Sequence, residues 1–89
     1  MDIARTMKNG KTVCLYADCH LDTETAYYIV SCNGTRFEFK DFAPAARVYK
    51  EISRVIEDDY NTEMGRTLEG VLSSLARSAR ALGYKVEEK

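Results

Sequence analysis

The strongest constraint in this chain is an Asn-Gly pair, Asn33-Gly34, set between two alternating runs, Tyr27 to Cys32 and Thr35 to Lys40. A two-residue type I′ turn needs positive φ at both central residues, which Asn and Gly tolerate, so the pair predicts a tight hairpin. The turn fixes the register: Cys32 opposes Thr35, Val30 opposes Phe37 and Tyr28 opposes Phe39. Strand parity then puts Tyr28, Val30, Cys32, Phe37 and Phe39 on one face, with Tyr27, Ile29, Ser31, Arg36, Glu38 and Lys40 on the other.

A second alternating run, Thr12 to Cys19, is separated from the first by the polar stretch His20 to Thr25. If Leu21 to Glu24 form the loop, His20 faces Thr25, Leu15 faces Val30 and Val13 faces Cys32. Both turns then agree on one apolar face: Val13, Leu15, Ala17, Cys19, Tyr28, Val30, Cys32, Phe37 and Phe39. An earlier Asn-Gly, Asn9-Gly10, can fold Ile3 to Met7 back as an edge strand by the same turn chemistry.

After the strands come two helical patterns. Asp41 can cap a helix beginning near Phe42 or Ala43, with Pro44 in the opening turn, where a missing N–H costs little. Its apolar stripe is Ala45, Val48, Tyr49, Ile52, Val55 and Ile56, and it should end around Asp58 to Asn61. Thr62 or Thr67 can cap the next helix, whose stripe is Leu68, Val71, Leu72, Leu75, Ala79 and Leu82. Gly83 suits the left-handed position beyond its end, and Lys85 to Glu87 can extend as a short strand. The chain of 89 residues is thus expected to be one α+β domain. It reads as an antiparallel meander of three strands, four if the N-terminal segment pairs, with two amphipathic helices packed on one face.

Composition bounds the function. With 13 basic and 14 acidic residues interspersed along the chain, a partner held by clustered charge, such as duplex DNA or an anionic membrane, is disfavoured. No apolar run approaches the roughly 20 residues of a membrane span, and the opening Met1 to Arg5 is unlike a secretory signal, so the expected compartment is the cytoplasm. The 3 cysteines lack Cys-x-x-Cys spacing and indicate neither a disulfide framework nor a zinc cage. Cys19 and Cys32 read as core residues, and Cys14 as the outward-facing thiol.

The residues that carry chemistry do not assemble into a catalytic site. His20 lies near Asp18, Cys19 and Cys14 in sequence, but Cys19 points away from Asp18 and His20, and Cys14 is about 20 Å along the strand at about 3.3 Å per residue. Glu57, Asp58, Asp59 and Glu63 form an acidic cluster without the glycine and ligand periodicity of a calcium loop, and read as a solvated turn. No nucleophile, base and orienting group can be placed together, and no cofactor motif is present, so the chain reads as non-enzymatic. Arg66, Arg77 and Arg80 share the polar face of the second helix with Ser73 and could meet an anion or an acidic partner, against the background of a plain solvated face.

The outer sheet face is the more informative feature. Tyr16 pairs with Ile29 there, Tyr27 adjoins them, and Ile3 and Met7 would join from the edge strand, an apolar patch of about 400 Å² or more if half exposed. Three things could cover it: a second copy of the chain, a different protein, or the tail around Tyr84 and Val86. The leading expectation is a small interaction or regulatory protein, a homodimer or the binder of a protein partner, using Tyr16, Tyr27, Ile29, Arg36 and Lys40. The meander followed by a helix capped at Asp41 also resembles, in topology alone, the arm-binding domains of tyrosine recombinases. That likeness implies DNA contacts by Tyr16, Tyr27, Arg36 and Lys40, which Asp18 and Glu38 on the same face oppose. A further alternative, suggested by size and by no particular residue, is an inhibitor protein encoded on a mobile element.

Overall fold

Both Asn-Gly pairs form turns with positive φ: 53° and 77° at Asn9 and Gly10, 53° at Asn33 and 86° at Gly34. A computed structural model describes residues 1–58 and 67–88. The strands are β1 (Asp2–Lys8), β2 (Lys11–His20), β3 (Thr25–Cys32), β4 (Thr35–Phe39) and β5 (Lys85–Glu87). They lie side by side in chain order in one antiparallel sheet of five. The sheet therefore exceeds the expected three or four strands, because both the N-terminal segment and the C-terminal tail pair with it. Between β4 and β5 run helices α1 (Phe42–Asp58) and α2 (Leu68–Ala81). Neither is long and apolar enough to cross a membrane.

The register agrees with the turn arithmetic. Val30 pairs with Phe37 and Tyr28 with Phe39, while Val13 pairs with Cys32 and His20 with Thr25. On the inner face Val13, Leu15, Val30, Cys32, Phe37 and Phe39 are buried against Ala45, Ile52, Val55 and Ile56 of α1 and Leu68, Val71, Leu72, Ala76 and Ala79 of α2. Leu82 departs from its expected place in the stripe. It is the C-cap of α2, where the chain leaves the helix, and is 76% exposed.

Helix ends are held as local chemistry requires. Thr67 Oγ1 accepts a hydrogen bond from the Gly70 amide at 3.0 Å, so the cap of α2 is Thr67; Thr62 lies outside the described residues. At the other end Gly83 adopts φ 89°, its amide donates to Arg80 O, and the Tyr84 amide donates to Ala79 O, a complete Schellman motif. This turn sends Tyr84 against Phe39, with ring centroids 4.8 Å apart, and delivers β5 to the edge of β4.

β1 is pinned by polar contacts as well as its ladder. Thr6 Oγ1 lies 2.7 Å from both Tyr49 Oη and Ser53 Oγ of α1, joining three hydroxyls between the edge strand and the helix. Lys8 donates to the Glu57 carbonyl in the last turn of α1, bringing a cation to the negative end of the helix dipole. At Ile3 the register shifts by a bulge, after which Met1 exchanges two backbone hydrogen bonds with Ala17.

The helices cover only part of the sheet. α1 starts where Phe42 meets Tyr28 edge-on, at 5.5 Å between centroids, and runs back toward Lys8. The far end of the β2–β3 hairpin, Asp18 to Ala26, is exposed throughout. Cys19, expected inside by parity, is accordingly exposed: its side chain points to the inner face beyond the point where the helix layer ends. Cys14 is half-buried and Cys32 buried, and all three are free thiols.

Candidate functional site

The two helices take the inner face of the sheet, and among the described residues no element covers the outer face. Across its middle run Tyr16 of β2, Ile29 of β3 and Glu38 of β4 in register, with Asp18 opposite Tyr27, and Ser31 opposite Arg36, on adjacent rows.

Ile29 corrects the expected patch. It is 0% exposed and lies outside the helix-side core cluster, so it is buried on the outer face itself. The cover comes from its own chain. Arg36 of β4 and Tyr16 of β2 interact across the intervening β3, the strand that carries Ile29. Desolvation pulls the Arg36 guanidinium down, but its interaction with Tyr16 and the negative charges of Glu38 and Glu87 outweigh it, and the net shift is upward. Ile29 is thus a floor for the site and not a contact. Nor does the C-terminal tail lie over this face: β5 extends the edge of the sheet, and Tyr84 and Val86 pack toward the helix-side core. Of the edge-strand residues expected in the patch, Met7 is 69% exposed and Ile3 sits in the bulge at 38%.

Tyr27 anchors the other end. Its hydroxyl donates to Asp18 Oδ2 at 3.3 Å, and its ring stacks on His20 with centroids 4.3 Å apart and planes 21° apart. Desolvation, and then the Asp18 carboxylate, push its phenol upward. His20, considered for a catalytic triad, is therefore an aromatic neighbour of Tyr27, and Asp18 is bound to the phenol. Lys40 stands exposed just past the end of β4. The structure thus gathers Tyr16, Tyr27 and Arg36 on one face, with Lys40 at its margin.

Of the second group of candidates, two lie among the described residues, both on α2. Arg80 donates to the Val86 carbonyl at 3.3 Å and pairs with Glu88 at 3.2 Å, tying α2 to the tail, while Arg77 is exposed. Arg66 lies outside the described residues, as do Asp59 and Glu63 of the acidic cluster. Among the described residues no three His, Cys, Asp or Glu side chains are grouped as a metal site.

The Thr6, Tyr49 and Ser53 contact was not anticipated, although two signals for it exist. Ser53 interrupts the apolar stripe one turn after Tyr49, and the Asn9-Gly10 hairpin puts Thr6 on the face of Val13. In comparisons with known proteins, no family model, curated protein or solved structure matches the chain.

Proposed function

We propose that this chain is a non-enzymatic interaction module whose outer sheet face binds a protein surface, the occupant being a second copy of the chain. The supporting observation is the arrangement of Tyr16, Tyr27 and Arg36 on a face that no element covers among the described residues, each held by an intramolecular contact. Tyrosine and arginine are enriched among residues that dominate protein interfaces, and side chains already held in place lose less entropy on binding. The face carries both signs, Arg5 and Arg36 with Asp18 and Glu38, so a two-fold axis can bring cations of one copy to anions of the other. The same mixture opposes the phosphates of nucleic acid.

Light scattering over a concentration series tests the reading. The wild type is expected to rise toward twice its 10.1 kDa chain mass, and Tyr16→Ala with Tyr27→Ala is expected to hold it at one. A wild type that stays monomeric removes self-association. A labelled duplex retarded at low salt, with the shift lost in Arg36→Ala, would replace the protein occupant with DNA.

A further inference from the structure

Beside the outer face, where β4 ends and the turn from α2 into β5 passes, a cleft of about 330 Å³ opens between His20, Tyr27, Glu38 and Lys40 on one side and Leu82, Tyr84 and Lys85 on the other. Its size falls at the lower end of the range for small-ligand sites. Two aromatic surfaces bound it. One is the stacked His20–Tyr27 pair, and the other is Tyr84, fixed edge-on against Phe39. Leu82, left exposed by the Schellman turn, supplies an apolar rim.

The charge is uneven. Lys85 pairs with Glu87 at 3.5 Å, and Glu38 shares the field of Arg36 outside the cleft, whereas Lys40 has no partner among the described residues. The cleft's one carboxylate is thereby countered from outside, and a cation remains uncompensated at the mouth. We infer that this cleft binds a small organic anion with a flat aromatic body, the ring lying between the His20–Tyr27 pair and Tyr84 and the acid group meeting Lys40. Flat rings suit such walls because offset or edge contacts add to the area buried, and an ammonium attracts the anion without fixing its geometry. This site does not depend on the protein-binding reading, although Tyr27 and Lys40 belong to both.

The probe is 1-anilinonaphthalene-8-sulfonate, an aromatic anion whose fluorescence rises in apolar surroundings, compared with the uncharged N-phenyl-1-naphthylamine. Saturable 1:1 binding of the anion is expected, with amide shifts confined to His20, Tyr27, Lys40 and residues 82–85. Lys40→Glu is expected to weaken it about tenfold by turning attraction into repulsion at the mouth, and Leu82→Asn to weaken it severalfold, both with unchanged thermal midpoints. Equal affinity for the uncharged probe, shifts spread over the helices, or an unaffected Lys40→Glu protein would each overturn the assignment. Light scattering on the same samples keeps the two readings apart: probe binding by a monomer leaves the cleft standing and removes the dimer, while a dimer that binds no probe does the reverse.

Discussion

Ile29 separates folding from recognition on the outer face. Because it is wholly buried, Ile29→Asp desolvates a carboxylate directly beside Glu38 and gives up the isoleucine's apolar burial, and is expected to unfold the protein, whereas Tyr27→Ala acts on an exposed contact and should shift the urea midpoint little. Far-ultraviolet circular dichroism of the two variants decides the point. Strand parity makes the outward direction of Ile29 legible in the sequence. Its burial is not legible, because parity gives a direction and not how the side chains of neighbouring strands close around it. Thr6 offers a similar test on the inner side. Thr6→Val keeps the shape but leaves the Tyr49 and Ser53 hydroxyls without their shared partner, so a loss of about 1–2 kcal/mol is expected in urea unfolding. Adding Ser53→Ala to Thr6→Val should cost less than the sum of the two single changes, since both act on one network. Cys32 gives the fold a pH dependence. Burial pushes its thiol from an ordinary 9.0 up to about 11, so between those values the unfolded chain loses a proton that the folded chain keeps. Stability present below pH 9 should therefore fall as pH rises through that window. The drop in urea midpoint between pH 8 and pH 10 should be smaller in Cys32→Ala.

At the scale of elements, the turns were the most legible part of the chain. Asn9-Gly10, Asn33-Gly34 and the Leu21–Glu24 loop set every register from β1 to β4, apart from the bulge at Ile3, which no residue pattern announces. The ends of α2 were legible for the same reason: they are chemistry within a few residues, whereas the Asp41 side chain makes no capping bond to α1 among the described residues. Thr67→Ala should cost about 1 kcal/mol by leaving the Gly70 amide without its acceptor, while Thr67→Ser retains the cap. Gly83→Ala should cost about 1 kcal/mol for its positive φ, although a Cβ there would meet nothing within 4 Å. Thermal midpoints of the three variants distinguish lost hydrogen bonding from backbone strain. The role of Arg80 was less legible, because the tail that occupies it returns only after a turn whose direction Gly83 sets.

For the molecule as a whole, sequence pattern identifies which face is apolar but not how far the covering layer extends. The alternation in β2 and β3 continues to Cys19 and Ala26, yet α1 begins at Phe42 beside Tyr28 and runs the other way, leaving the hairpin end outside and the molecule 46 Å long against 26 and 23 Å across. The sheet order carries a separate consequence, for the time course of folding. Each pairing from β1 to β4 joins neighbours in the chain and closes a short loop, whereas the pairing of β5 with β4 spans both intervening helices and carries a larger loop-closure cost. Docking of Val86 beside Phe37 should therefore fall after the rate-limiting step. In stopped-flow measurements Val86→Ala is expected to hasten unfolding and leave the refolding rate nearly unchanged. The tail then acts as a latch on a domain that has already formed, and sets how long the native state lasts more than how quickly it is reached.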